Sequence, residues 1–189
     1  MIYHVEPADG LKLVADPRIA AVGFTGSRTT GLALKKVADE KGKPIFLEMG
    51  SLNPVILLPG ALAERTAALL DEVSGSCLLG MGQFCTNPGL LFFLAGPATE
   101  TFIAGMVEKY RTAPVGTLLT QGVRDNLVTS VQALRLAGAE LLAGGQAGGG
   151  TGFSHQHTLL RTSGNQFLAQ SAALQTEAFG NATLAIVCD

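Results

Sequence analysis

Residues 80 to 89, GMGQFCTNPG, place Cys85 in a glycine-lined turn just before the apolar run LLFFLAG. A buried cysteine behaves as a small hydrophobic residue and needs no flanking glycines, whereas a nucleophilic thiolate needs an open backbone and nearby amide N–H groups. A turn of fixed shape before a strand can present its own amides to an oxyanion that forms at the sulfur. The pattern therefore favours Cys85 as a nucleophile over a packed thiol.

The other two cysteines, Cys77 and Cys188, fall inside a predicted helix and a predicted strand, where core packing explains each of them. Three cysteines without CxxC spacing argue against a disulfide framework or a zinc site and fit a reducing cytoplasm. His155 and His157 have no cysteine or carboxylate at metal-ligand spacing. We therefore predict that both are surface histidines on a loop and that the chain holds no metal.

Two glutamates stand next to predicted turns. Glu48 ends an otherwise apolar strand in FLEMGS, a place where acids are rare unless they are paired or take part in chemistry. A glutamate exposed at the strand terminus explains it equally well. Glu177, in QTEAFGN, could hydrogen-bond a sugar hydroxyl, although on its own it is better explained as an exposed loop acid.

The segment FTGSRTTG joins a predicted strand to a predicted helix at Gly26 and Ser27. The first amides of such a helix face outward and can bind an anion such as a pyrophosphate. The segment does not have the GxGxxG pattern, and its spacing alone favours an ordinary turn between a strand and a helix.

Apolar periodicity predicts alternating strands and helices along the chain. The predicted strands are RIAAVGFTGS, PIFLEMG, PVILLPG, LLFFLAG, TLLRT and ATLAIVCD. The predicted helices are RTTGLALKKVADEKG, ALAERTAALLDEVSGSCLLG, residues 97–110 and residues 121–137. This alternation implies βαβ units and an α/β fold with a mainly parallel sheet.

Composition excludes several classes of protein. The 189 residues carry a formal net charge of -2. This charge is not positive enough to attract nucleic acid and not negative enough to indicate a solvated acidic tail. The apolar runs are too short for a membrane span and the first residues lack a signal-peptide pattern, so a cytoplasmic protein is expected. Hydrophobic residues make up 47% and charged residues only 15% of the chain, so we expect part of the apolar surface to be covered by a partner subunit or further chain.

Four ordered motifs, AVGFTGS, LEMGS with NPV, GQFCTNPG and TEAFG, resemble the aldehyde dehydrogenase superfamily. The forms EMGSLNPV and GQFCTNPGL are most similar to its 2-oxoglutarate semialdehyde (2,5-dioxopentanoate) dehydrogenase branch. The resemblance covers the chain from about Leu11 to Asp189. It implies the three-layer fold of that family and NAD(P)-dependent oxidation of an aldehyde through a cysteine thioester, with this semialdehyde as the expected substrate.

The resemblance also implies roles for single residues. Cys85 becomes the nucleophile and Glu48 the general base that activates water for thioester hydrolysis. Gly26 and Ser27 would lie against the cofactor pyrophosphate, while Glu177 would hold the nicotinamide ribose with Phe179 packed beside it. Asn181 stands where the family usually has a proline.

Members of that family are much longer, so the chain is expected to be a fragment. We predict that residues 1–46 are the last part of an incomplete Rossmann-type nucleotide-binding domain, and that residues 47–189 are a catalytic domain without its C-terminal end. The resemblance places the oxyanion-hole asparagine, the adenosine-binding lysine and the contacts that choose between NAD and NADP before residue 1. We therefore expect weak dinucleotide binding and little aldehyde oxidation by this chain alone.

Two other functions are compatible with the residues. The chain could be an inactive truncated domain with only a structural or binding role. It could also be a cysteine hydrolase, but its three histidines lie outside the motifs, which counts against this interpretation.

The expected partners are a small-molecule aldehyde and further copies of the chain in a homo-oligomer. The sequence does not identify the group that would hold a substrate carboxylate; Arg111 and Arg161 could do so.

Overall fold

The computed structural model describes residues 5–189, and the chain divides into two compact units, Met1–Ser51 and Leu52–Asp189. The predicted domain boundary after residue 46 falls inside a strand, Ile45–Met49, that pairs in parallel register with Val22–Gly26. This pairing makes the whole strand part of the first unit. The boundary between the units along the chain therefore lies five residues later, between Ser51 and Leu52.

The first unit is a small βαβ arrangement preceded by a helix. Its elements are α1 (Pro7–Ala15), β1 (Val22–Gly26), α2 (Arg28–Glu40) and β2 (Ile45–Met49). The two strands are parallel neighbours, and α2 crosses between them. The core consists of Val14 from α1 with Leu34 and Ala38 from α2. The predicted strand, turn and helix are confirmed, whereas α1 was not predicted.

The second unit contains a five-stranded sheet in the order β3, β4, β7, β6, β5. The strands are β3 (Asn53–Leu57), β4 (Pro88–Leu94), β5 (Glu140–Ala143), β6 (Thr158–Ser163) and β7 (Ala182–Cys188). Only β5 runs antiparallel to its neighbour, so the prediction of a mainly parallel sheet is confirmed. The short edge strand β5 was not predicted.

Helices cover both faces of this sheet and give the unit three layers. They are α3 (Pro59–Leu78), α4 (Pro97–Thr112), α5 (Gln121–Leu136), α6 (Gly164–Ala169) and α7 (Ser171–Leu174). On one face, Leu62 of α3 and Phe102 of α4 pack against Leu91 and Phe93 of β4. The opposite face packs against the other three helices through one buried residue of each: Leu134, Phe167 and Leu174. Alternate side chains of the same buried strands thus fill two separate cores.

The parallel strands of the second unit all begin at one edge of the sheet. The register pairs Asn53 with Pro88, and Thr158 with Ala182, so the segments that lead into β3, β4, β6 and β7 converge there. Residue Cys85 lies in the segment that enters β4. Among the described residues, no helix has both the length and the apolar character that crossing a bilayer requires.

Candidate active site

The segment before Cys85 has an unusual backbone. After α3 ends, Gly80, Met81 and Gly82 adopt φ values of +55°, +61° and +67° in a short left-handed turn. Such a conformation costs a residue with a side chain about 1–2 kcal/mol, which tertiary contacts must offset. The Met81 side chain is buried, and its sulfur accepts a hydrogen bond of 3.0 Å from the Gly116 amide.

Gly82 brings the turn into contact with the segment that enters β7. A Cβ atom on Gly82 would lie 2.1 Å from the Gly180 carbonyl oxygen, so only glycine fits at this position. The Asn87 side-chain amide also donates to the Gly180 carbonyl, at 3.4 Å. The turn that contains the cysteine and the loop that contains Glu177 are therefore direct neighbours in the second unit.

Two amide side chains hold the backbone around Cys85, and neither was predicted from the sequence. Gln83 accepts a hydrogen bond of 2.7 Å from the Leu119 amide and donates one of 3.1 Å to the Gly80 carbonyl. Asn53 donates to the Cys85 carbonyl at 2.9 Å and to the Asn87 carbonyl at 3.0 Å. Gln83 belongs to the motif GQFC and Asn53 to LNPV. Their closeness in sequence to the predicted site residues is the feature that could have identified them.

The three cysteines occupy different environments. Cys85 is exposed, Cys77 is fully buried in α3, and Cys188 at the end of β7 is half-buried. Burial raises the pKa of the Cys77 thiol, which disfavours its thiolate. Exposure and a held backbone therefore distinguish Cys85 from the other two thiols.

Glu177 and Phe179 lie in the loop between α7 and β7. The Glu177 side chain is half-buried, and this loss of solvent raises the pKa of its carboxyl group. Phe179 is 37% exposed. A partly desolvated carboxyl is a stronger candidate for ligand binding than a fully solvated loop acid.

The prediction of surface histidines is wrong. His155 and His157 are 0% and 3% exposed, because the loop before β6 folds into the interior next to Asn181. The Asn181 amide donates to the His155 carbonyl at 2.8 Å and to Nδ1 of His157 at 2.9 Å. Among residues 5–189, no cluster of three potential metal ligands occurs. These histidines are therefore parts of a buried hydrogen-bonded network.

In the first unit, Ser27 caps α2. Its hydroxyl accepts a hydrogen bond of 3.2 Å from the Thr30 amide, which leaves earlier amides of the first turn without an intrahelical acceptor. A Cβ atom on Gly26 would lie 2.7 Å from the Phe24 ring, so this ring packs over Gly26 at the end of β1. These exposed amide donors can bind an anion.

Glu48 lies one residue before the end of β2, and its register partner in β1 is Thr25. The alternation of exposure along β2 places Glu48 on the exposed side, so the strand presents its carboxylate to solvent. The first unit thus brings Glu48 and the Gly26 turn to the same end of neighbouring strands.

The two arginines considered above for a substrate carboxylate have protein partners. Arg161 forms a two-point ion pair with Glu100 at 2.7 Å and 2.6 Å, and this pairing raises the pKa of the guanidinium and lowers that of the carboxyl. Arg111 donates to the Leu142 carbonyl at 3.1 Å. Neither contact involves the Cys85 turn.

The chain is similar in sequence to known proteins. Residues 4–189 match the Aldehyde dehydrogenase family. The chain is 38% identical over 182 residues to alpha-ketoglutaric semialdehyde dehydrogenase 2 of Azospirillum brasilense, across 95% of this chain and 34% of that protein. It is 36% identical over 183 residues to alpha-ketoglutaric semialdehyde dehydrogenase of Acinetobacter baylyi, across 95% and 35%.

Solved structures show the same fold. HpcC from Thermus thermophilus matches with a TM-score of 0.80 at 25% identity, over 94% of this chain and 36% of that one. PnpE, solved in complex with nicotinamide adenine dinucleotide, matches with a TM-score of 0.78 at 20% identity, over 94% and 38%. The chain spans about a third of the length of the curated relatives it matches. Since the family match extends over nearly the whole chain, this protein belongs to the aldehyde dehydrogenase family.

Proposed function

We propose that this chain carries the nucleophile of an NAD(P)-dependent aldehyde dehydrogenase and that Cys85 is that nucleophile. The observation that supports this most directly is the Cys85 turn itself. An exposed cysteine follows a left-handed glycine turn; Asn53 holds its carbonyl, and Gln83, two residues before it, is bonded to the Leu119 amide. A thiol that served only packing would be buried, as Cys77 is.

In the proposed reaction the Cys85 thiolate attacks the aldehyde carbon. A carbon–sulfur bond forms, and the electron pair of the carbonyl moves to its oxygen, where the Cys85 backbone amide donates a hydrogen bond. The chemistry that bound NAD+ or NADP+ supplies is acceptance of the hydride from that carbon. Glu48 then takes a proton from the water that attacks the thioester, and cleavage of the carbon–sulfur bond releases the carboxylate and restores the thiolate.

The residues that we propose for cofactor binding come from both units. The outward-facing amides after Gly26 and Ser27 would hold the diphosphate, since a helix N-terminus favours negative charge. Glu177 would accept hydrogen bonds from the nicotinamide ribose, with Phe179 packed beside it. These residues do not distinguish NAD from NADP, so both belong in every assay.

We propose 2-oxoglutarate semialdehyde as the substrate, because the two curated relatives described above are named for it. A semialdehyde that carries a carboxylate should then be oxidised with a higher kcat/KM than pentanal, which has the same chain length without charge. Equal kcat/KM values would point to an unspecific aldehyde dehydrogenase.

We also propose that the protein acts as a homo-oligomer. Large apolar side chains are exposed in both units, including Phe46 at 72% and Ile56 at 70%. Exposed apolar surface of this kind marks sites that further protein covers. A mass by light scattering equal to one chain at all concentrations would contradict this proposal.

The alternative is a folded module without activity, and cofactor-free acylation of Cys85 separates the two functions. We expect p-nitrophenyl acetate to place an acetyl group on Cys85, detected by mass spectrometry of acid-quenched protein, and Cys85→Ser to abolish it. In protein that binds the cofactor, aldehyde-dependent reduction of NAD+ or NADP+ then separates a dehydrogenase from a cysteine hydrolase. Absence of acylation at Cys85 in the unmodified chain would favour the inactive module.

A further inference from the structure

Asn53 connects the start of β3 to the turn that contains the cysteine, 32 and 34 residues further along the chain. Its side-chain nitrogen donates to the carbonyl oxygens of Cys85 and Asn87 at 2.9 Å and 3.0 Å. The turn also has its own backbone bond, from the Asn87 amide to the Phe84 carbonyl at 3.0 Å. Asn53 therefore attaches an already closed turn to the sheet.

The bond to the Cys85 carbonyl restricts one peptide plane. In a trans peptide the C=O and the following N–H lie in one plane and point in opposite directions. When Asn53 draws the Cys85 carbonyl toward β3, it directs the Thr86 amide away from β3. The orientation of the peptide next to the nucleophile is thus set by a side chain of another strand.

The local sequence prepares Asn53 for this contact. Pro54 restricts the residue before it to extended backbone, and the pairing of β3 with β4 shifts register between Asn53 and Pro54. Such irregularities re-aim a side chain relative to the regular strand. A side chain of this length needs two N–H donors on one atom to reach two carbonyls, a requirement that asparagine meets and aspartate or serine does not.

We propose that Asn53 is a positioning residue for the nucleophile: by fixing the peptide that follows Cys85, it holds this residue so that the Cys85 amide, in the preceding peptide, stays aligned with the oxyanion formed at the sulfur. This inference rests on the proposed role of Cys85. Asn53 touches no reacting atom in this scheme and acts only through the turn.

The test compares two reactions of the same thiol in the 189-residue chain. Acylation by p-nitrophenyl acetate passes through an oxyanion, whereas alkylation by iodoacetamide does not. For Asn53→Ala we expect acylation of Cys85 to slow about tenfold, equivalent to one lost hydrogen bond of about 1.4 kcal/mol. Alkylation of Cys85 should change less than about twofold, because the thiol stays exposed.

Two further variants control for folding and for residue type. Asn53→Ser keeps one donor and should acylate at an intermediate rate. Asn126→Ala removes an exposed asparagine of α5 and should leave both rates unchanged. Urea unfolding of each variant shows whether the measured protein is folded.

The outcomes separate the inference from the proposed function. If the unmodified chain is not acylated at Cys85, the proposed function is overturned and the inference with it. If the unmodified chain is acylated and Asn53→Ala slows both reactions equally, or slows neither, the positioning role is overturned while the role of Cys85 stands.

Discussion

The side-chain nitrogen of Asn181 donates a hydrogen bond of 2.9 Å to Nδ1 of His157 in the interior of the second unit. The other ring nitrogen of His157 faces the Pro114 carbonyl at 3.1 Å and must donate to it. The imidazole is therefore neutral and carries its proton on Nε2. Asn181 occupies the position where the family resemblance led us to expect a proline, so side-chain hydrogen bonds anchor the start of β7 here.

This network predicts a loss of stability on the acid side. Burial lowers the pKa of both His157 and His155, whereas an unfolded histidine titrates near 6.5. Between the two pKa values the unfolded state binds more protons, so stability falls as pH decreases below about 6.5 and is independent of these groups above it. A proton on Nδ1 of His157 would also face the N–H group of the Asn181 side chain, so the hydrogen bond between them would be lost.

Urea unfolding at about pH 7.5 and about pH 5.5 measures this effect. For His157→Gln we expect a smaller difference in unfolding free energy between the two pH values than for the unmodified chain. Carboxylates contribute equally to both proteins and cancel in the comparison. Identical pH dependence of the two proteins would mean that His157 does not titrate as proposed.

The Gly82 contact with Gly180 predicts a strong and local effect of one methyl group. Gly82→Ala places a Cβ atom 2.1 Å from the Gly180 carbonyl oxygen at a φ of +67°, so we expect a destabilisation of at least about 2 kcal/mol. Gly75→Ala is the matched control, since its Cβ atom meets nothing within 4 Å in the exposed part of α3. It should stabilise the protein by up to about 1 kcal/mol, and equal unfolding midpoints for the two variants would contradict the close contact.

The different burial of the cysteines predicts an order of alkylation. Iodoacetamide should label Cys85 first and Cys77 last, with at least about a tenfold difference in rate, because a buried thiol with a raised pKa forms little thiolate. Peptide mass spectrometry at short times identifies the labelled residue. Cys85→Ser should remove the fast phase and Cys77→Ser should not. Equal labelling of the cysteines in folded protein would refute the assignment.

The proposed general base predicts a change in kinetic phases. In protein that oxidises aldehyde, Glu48→Gln should still form the thioester but hydrolyse it slowly, which produces a burst of NAD(P)H before a low steady rate. Rapid-quench mass spectrometry at Cys85 should show the accumulated thioester. The control is Glu40→Gln, an exposed glutamate at the end of α2, which should keep the normal steady rate. A normal steady rate in Glu48→Gln would remove this residue from the mechanism.

Local patterns were enough to predict most of the elements in both units. The long helices have apolar residues on one face and the buried β-strands are short continuous apolar runs, because those surfaces must leave water. The turn at Cys85 was also visible, since glycines at positive φ cluster where the chain must bend sharply. Short elements such as β5 and α7 were not predicted, because a few residues carry too little periodicity to distinguish them from a loop.

The sequence by itself determined the α/β alternation and the glycine-lined turn at Cys85, because both depend on residues that are close along the chain. Only the tertiary structure decided which residues hold that cysteine and where the histidines lie. Asn53 reaches the Cys85 carbonyl across 32 residues, and Asn181 reaches His157 across 24. A polar residue in a loop has the same local pattern whether it faces water or finds a partner in the interior. Such a residue is buried only when distant strands converge and supply the hydrogen-bond donors and acceptors that replace water.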